Sequence, residues 1–258
     1  MSDAVKVTTA SRDLVAGLGK GLAIIELFNE TRRRMSISEA ASLTGLTRAA
    51  ARRYLLSLVH LGYAEFDGKF FSLTPRVMRL GHAYLAMTPL SKLLQPFLET
   101  ISRQADDPAT AAILDDTDVV YIARAAPMRI VSISLGVGSR LPAYCTSLGR
   151  VLLAHAPVDW LEGYWRRATL TPRTPRTLWT RPAIEAALAE VRALGYALVD
   201  EEVELGLRSI AVPIRNARGS VTAAITVTVQ TNRVAAADLP ALVLPLFRPA
   251  QEALRQLP

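Results

Sequence analysis

The order of apolar and polar positions divides this chain near residue 90. Ahead of that point, residues 14–29 read as a helix with Leu18, Leu22, Ile25 and Phe28 on its inward side. Ile37, Ala40, Ala41 and Leu43 make a second, shorter stripe. Ser36 opens it, with Glu39 three residues on to complete a capping box, and Gly45 closes it. Thr47 caps a third helix running to about Leu61, with Ala51, Tyr54, Leu58 and Leu61 on one side. Gly62 stops that helix. Segments 63–66 and 69–73 then flank Asp67-Gly68, a strong signal for a two-residue hairpin turn. Helix, turn, helix and a two-stranded wing follow one another in order. Thr74-Pro75 starts a linker helix with Val77, Leu80, Tyr84 and Leu85 as its apolar side, bounded by Pro89.

Beyond residue 90 the pattern changes. A helix to about Gln104 contains Pro96, which bends or splits it. Strands at 110–115 and 119–124 flank the turn 115–118, and 129–137 reads as a third strand. A short helix begins near Thr146 and ends near His155, and 164–179 reads as a loop rich in Pro, Thr and Arg. Thr180 caps a helix with Ile184, Leu188 and Val191 inward and Gly195 closing it. Strands follow at 196–200, 209–214 and 220–230, and Pro240, Pro245 and Pro249 argue against one unbroken C-terminal helix. The fold class expected is α+β: a winged helix-turn-helix domain over 14–74, a linker helix over 75–89, and a sensor-like domain of sheet and helices over 90–258.

Charge sharpens this division. The net charge is +7, and residues 1–88 hold 12 Lys and Arg against 7 Asp and Glu, whereas 89–258 hold 18 against 16. The excess of positive charge therefore travels with the helix-turn-helix and suits a polyanion. Residues 1–13 are small and polar and read as an arm. A single cysteine excludes an intramolecular disulfide. No apolar run approaches the ~20 residues of a membrane span, and no signal-peptide pattern opens the chain. A cytoplasmic protein without a membrane partner is expected.

The second helix of the helix-turn-helix carries the candidate DNA-binding chemistry. Thr47, Arg48, Ala49, Arg52 and Arg53 lie on its outward or N-terminal side, and Lys69 lies on the wing. Arginine reads guanine in the major groove, neighbouring cations hold phosphate, and small residues let backbones approach. Arg32, Arg33 and Arg34 suit either a phosphate grip or a solvated loop. In the larger domain, the start of the helix at 146 turns free N–H groups and the positive end of its dipole toward whatever lies in front. Both a carboxylate site and an ordinarily capped core helix are compatible with that pattern. Arg150 adds charge there or points outward. Ser209, Thr226 and Thr228 supply hydroxyls on strand faces.

A cysteine-dependent enzyme using Cys145 and His155 is the rival of another class. It needs spatial contact and an acidic thiol, which spacing does not establish. No His or Cys pattern matches a metal-ligand spacing, so neither metal nor cofactor is expected.

Four segments together resemble the IclR family of transcriptional regulators: 46–63 (LTRAAARRYLLSLVHLGY), 70–85 (FFSLTPRVMRLGHAYL), 137–154 (VGSRLPAYCTSLGRVLLA) and 199–214 (VDEEVELGLRSIAVPI). The chain is most similar to the branch that responds to protocatechuate, 4-hydroxybenzoate or other β-ketoadipate-pathway compounds. The resemblance implies a GAF-like effector-binding domain after the linker, and assembly as a homodimer or a dimer of dimers. It implies effector binding by Thr146, Ser147, Leu148 and Gly149, by Ser209, where many relatives carry cysteine, and by Thr226 or Thr228. Tyr144 suits stacking on an aromatic acid or packing in the core. The function implied is regulation of an aromatic-acid catabolic operon through operator or promoter DNA. A regulator of the same build sensing glyoxylate or pyruvate is the alternative.

Overall fold

The computed structural model describes residues 15–29, 31–87, 89–127 and 135–255, and the arm at 1–13 lies outside them. Packing separates two compact units, divided between residues 87 and 88.

The first unit contains helices α1 (Ala16–Glu26), α2 (Ile37–Thr44) and α3 (Arg48–His60), then β1 (Ala64–Phe66) and β2 (Phe71–Leu73). The caps follow from the sequence. Ser36 accepts from the Glu39 N–H, and the Glu39 carboxylate accepts the Ser36 N–H at 2.7 Å. Those hydrogen bonds, the Ser36 N–H foremost, hold the Glu39 carboxyl below its ordinary pKa. Gly45 takes φ +69° at the end of α2, and Thr47 accepts from the Ala50 N–H at the head of α3. Ile24, Met35, Ala40, Ala51, Leu55 and Phe71 form the core of this unit.

Helix α1 turns only part of its expected face inward, with Ile25 and Phe28 packed against this core. Leu18 and Leu22 are 65% and 45% exposed, and Ile24 is the buried residue of the helix. Its glycines explain this. Gly17 and Gly21 face the Tyr54 side chain, where an added Cβ would come within 3.6 Å of its hydroxyl and 4.0 Å of its ring respectively. A glycine-lined groove admits a tyrosine that a leucine face would exclude. Leu43 of α2 is likewise exposed, and so is Leu61, because α3 presents Ala51, Leu55 and Leu58 inward at positions i, i+4 and i+7. Arg32 donates to the Leu27 carbonyl at 2.9 Å and so closes the end of α1.

The wing turns more widely than a two-residue hairpin. Phe66 pairs with Phe71, leaving residues 67–70 as the loop. The Asp67 carboxylate accepts the N–H groups of Lys69 and Phe70 at 2.9 and 2.7 Å, while Gly68 takes φ +100°. An acceptor that satisfies two loop donors favours the longer connection over the tighter turn. A 3-10 turn at Pro75–Val77 leads into α4 (Met78–Met87), on which Leu80 is 46% exposed rather than inward. The side chains of Tyr84 and Leu85 lie outside the described residues.

The second unit runs α5 (Pro89–Ala105), β3 (Ala109–Asp115), β4 (Asp118–Ala125), β5 (Arg140–Pro142), α6 (Ser147–Ala154), α7 (Val158–Arg167), α8 (Arg181–Leu194), β6 (Ala197–Asp200), β7 (Leu207–Arg215), β8 (Val221–Gln230) and α9 (Leu239–Leu254). Its sheet has the order β5-β4-β3-β8-β7-β6 among the described residues, with antiparallel neighbours. Leu98 and Ile101 of α5 and Phe247 of α9 cover one face, against Ile225 and Val227. Leu148 and Val151 of α6 and Leu188 of α8 belong to the opposite core, with Ala112, Ala211 and Ala224 as small strand residues that let α6 lie close.

Four expectations change here. The proline-bearing C-terminus is one helix, because Leu239, Val243, Phe247 and Leu254 are buried along one stripe of α9. At about 1.5–3 kcal/mol each, these offset two internal prolines at about 3 kcal/mol each. Pro96 likewise sits inside the single helix α5, whose buried Leu94, Leu98 and Ile101 hold it to the sheet. Residues 164–167 of the stretch read as loop instead complete α7, which buries Tyr164 among Trp160 and Trp165, while 168–179 are loop as expected. Residues 129–134 of the expected third strand lie outside the described residues, 135–137 are not strand, and β4 pairs with β5 as well as with β3.

Candidate functional site

The first unit displays the candidate DNA-binding residues. Thr47, Arg48, Ala49, Arg52, Arg53 and Lys69 are all exposed. The packed side of α3 is turned inward by Ala51, Leu55 and Leu58, so the three arginines project from the other sides. On the wing, the Lys69 ammonium and the Arg34 guanidinium each lie 5.2 Å from the centre of the Phe70 ring. Arg34 also approaches Asp67 at 3.8 Å. Phe70 thus gathers two cations at the wing tip, a contact that spacing in the sequence does not reveal.

In the second unit a cavity of about 650 Å³ opens between the start of α6 and the sheet. It brings together Thr146, Ser147, Leu148, Ser209, Thr226 and Thr228 from widely separated segments. Thr146 caps α6 by accepting the Gly149 N–H at 3.1 Å and donates to the Pro142 carbonyl at 3.2 Å. The Thr226 hydroxyl donates to the Ile210 carbonyl at 2.8 Å, so Ser147, 3.1 Å away, is the donor to Thr226. Ser147 keeps its own acceptor capacity. Ser209 and Thr228 stand opposite each other on β7 and β8, and their hydroxyls have no partner among the described residues.

Two expected lining residues serve other ends. Tyr144 is 2% exposed and donates its hydroxyl to the Thr171 carbonyl at 2.6 Å, pinning the 168–180 segment rather than facing the cavity. Gly149 also lies off the cavity. A Cβ there would meet the Ala143 carbonyl oxygen at 2.1 Å, so the glycine admits a close approach of backbones. Gly149→Ala is therefore expected to destabilise the protein by about 2–3 kcal/mol in a denaturant titration, against the ~1 kcal/mol that helix propensity alone would add. A stabilised variant would contradict this packing.

Arg150 points inward, contrary to the outward alternative. It is 3% exposed and grips both carboxylate oxygens of Glu202 at 2.7 and 2.6 Å, with its Nε donating to the Tyr144 carbonyl. Glu202 lines the cavity and also accepts the Leu178 N–H at 2.8 Å. Tyr121 and Arg124 of β4 line it as well. Neither was legible in the sequence, because their side of the strand is set by a bulge.

The Cys145 and His155 pair does not form. Cys145 precedes α6 and His155 follows its eight residues, about 12 Å apart along the helix axis. Burial also pushes the Cys145 thiol up to about 11, the opposite of an activated nucleophile. His155 is bound through Nδ1 to the Val151 carbonyl at 2.8 Å, and burial lowers its pKa.

Known proteins match both units. The family model for the IclR helix-turn-helix domain matches residues 17–68, and that for the bacterial transcriptional regulator IclR C-terminal matches 82–254. The chain is 45% identical over 244 residues to the Pca regulon regulatory protein of Pseudomonas putida, spanning 94% of this chain and 84% of that protein. It is 39% identical over 256 residues to the p-hydroxybenzoate hydroxylase transcriptional activator of Acinetobacter baylyi, spanning 96% and 93%. Among solved structures it resembles a double mutant of the PobR inducer-binding domain from Acinetobacter in complex with 3-hydroxybenzoic acid. That likeness has 35% identity and a TM-score of 0.60, over 64% of this chain and 97% of that one.

Proposed function

The chain belongs to the IclR family of bacterial transcriptional regulators, and we propose that it controls an aromatic-acid catabolic operon in the cytoplasm. In this reading α3 and the wing bind operator or promoter DNA. The cavity takes a small aromatic carboxylate such as protocatechuate, 4-hydroxybenzoate or a related β-ketoadipate-pathway compound. One observation carries it: Ser147, Leu148, Ser209, Thr226 and Thr228, distant in sequence, line one cavity of about 650 Å³. Such a space, apolar with a few convergent polar groups, suits a small organic ligand. The relatives support the class of ligand, through the names of the two regulators and the 3-hydroxybenzoic acid held by the related inducer-binding domain. No helix among the described residues is long and apolar enough to cross a membrane.

Two copies would present two recognition helices to a pseudo-palindrome, with half-sites about one helical turn (~34 Å) or a multiple of it apart. The exposed apolar residues Val15, at the N-cap of α1, and Leu18 and Leu22 on the helix recur at i, i+3 and i+7 and suit such a self-pairing. The effector acts by binding the two arrangements of the assembly with different affinity.

A thermal-shift series tests the effector class. At a hundred times its Kd, a true effector is expected to raise the midpoint by roughly 5–10 °C. A shift with glyoxylate or pyruvate and none with hydroxybenzoates would overturn the aromatic assignment. Absence of salt-sensitive binding to the protein's own upstream region would overturn the regulatory one.

A further inference from the structure

A one-residue irregularity in β4 decides what the cavity offers to a ligand. Across β3 and β4, Ala111 pairs with Ala123 whereas the next residue, Ala112, pairs with Tyr121. Ile122 is therefore an extra residue, a bulge that resets the alternation of the strand. Val119 and Tyr121 belong to the α6-side core, whereas Ile122 and Ala123 both belong to the α5 and α9 side. Arg124 then returns to the face of Tyr121, three positions away, where strict alternation would have opposed them. Both line the cavity.

These two side chains differ from the other polar groups around them. Tyr121 is 7% exposed, and neither its hydroxyl nor the Arg124 guanidinium has a hydrogen bond or ion pair among the described residues. The other guanidiniums beside the cavity are committed: Arg150 to Glu202, and Arg208 to Asp200 and the Val234 carbonyl. A nearly buried hydroxyl and an uncommitted cation on one face need an acceptor that brings negative charge. Burial raises the Tyr121 pKa, which keeps it a donor.

The rest of the face supplies the opposite end. Arg124 pairs with Thr110, and Thr110 with Thr226, so the three residues lie in one row across β4, β3 and β8. Two strand spacings put Arg124 and Thr226 about 10 Å apart at the backbone. A single ring carrying a carboxylate and an opposed hydroxyl bridges such a row.

We infer that Tyr121 and Arg124, brought to one face by the bulge at Ile122, anchor the effector's carboxylate and point its far end at the hydroxyls of Ser147, Thr226 and Ser209. This rests on the reading of the cavity as an aromatic-acid site and adds how the acid is oriented. The Arg124 carbonyl accepts a hydrogen bond from Gln95 of α5 at 3.2 Å, so the anchor's backbone is held from behind.

Calorimetry on the full chain with 4-hydroxybenzoate and its neutral isostere 4-hydroxybenzamide tests the anchor. Wild type is expected to bind the acid at least tenfold more tightly than the amide. Arg124→Gln is expected to lose 10- to 100-fold for the acid and less than threefold for the amide, and Tyr121→Phe 3- to 10-fold for the acid. Neither replacement removes a contact that holds the fold, and unchanged unfolding midpoints confirm that. Wild-type acid affinity in Arg124→Gln, or equal losses for acid and amide, would overturn the anchor while leaving the aromatic-acid reading in place. No response of wild type to any arenecarboxylate would overturn both.

Discussion

Glu202→Ala is expected to destabilise the protein by about 3–5 kcal/mol, lowering the thermal midpoint by roughly 10 °C. The physical cause is the group left behind. Arg150 is 3% exposed and Glu202 6%, and their side chains join through two parallel hydrogen bonds. With the carboxylate gone, a guanidinium stays buried with only the Tyr144 carbonyl as partner, and the Leu178 N–H loses its acceptor. The pair itself contributes less than this loss suggests, because bringing both ions out of water cancels much of their attraction. The double variant Arg150→Met with Glu202→Leu is therefore expected to recover most of the lost stability. Denaturant titration of both variants checks this. A single-variant loss below about 1 kcal/mol would mean that the pair is solvated in solution, and no recovery in the double variant would put the effect in packing instead.

Arg52→Ala is expected to weaken operator binding by 10- to 100-fold and to relax the preference for one base pair in each half-site. A bidentate arginine contact to a base discriminates by about 1–3 kcal/mol. Lys69→Ala, on the wing tip beside Phe70, is expected to weaken specific and nonspecific DNA alike and to reduce the salt slope by about one. The two substitutions leave the fold alone, since both side chains are exposed. Binding isotherms at several salt concentrations, on operator and scrambled duplexes, separate the two effects. Equal losses on both duplexes from Arg52→Ala would contradict base reading by α3.

The first unit was readable wherever structure is local. The capping box at Ser36 and Glu39, the αL glycine at 45 and the Thr47 cap involve residues within four positions of one another. Orientation was less readable. Leu18 and Leu22 recur at helical spacing on α1, yet both are exposed and Gly17 and Gly21 face Tyr54. The better-packed face was the one with room for a partner, and a stripe read on one helix contains nothing about the shape of the next. The wing shows the same limit at shorter range. Asp67-Gly68 signals a tight turn, but the Asp67 carboxylate satisfies two N–H groups and holds a four-residue loop.

In the second unit most strands and helices α6 and α8 followed from periodicity, whereas proline misled for α9. Local rules count a missing hydrogen bond at Pro245 and Pro249, and the offsetting burial of Val243 and Phe247 exists only against the sheet. The candidate cavity was legible in part for a similar reason. Ser147, Ser209, Thr226 and Thr228 stand out as hydroxyls in apolar segments, but Gly149 and Tyr144 stand out equally and turn to packing.

Where helices start and stop, which segment carries the arginines, and that the two units differ in charge could all be read along the chain. These depend on dihedral preference, short-range hydrogen bonds and residue counts, all of which act within a few positions of the chain. Long-range packing alone set which residues of α1 are buried, that Arg150 closes on Glu202 across 52 positions, and that Tyr121 and Arg124 share one face. Burial and strand register are set by neighbours distant in sequence. A single inserted residue such as Ile122 reverses every side chain beyond it.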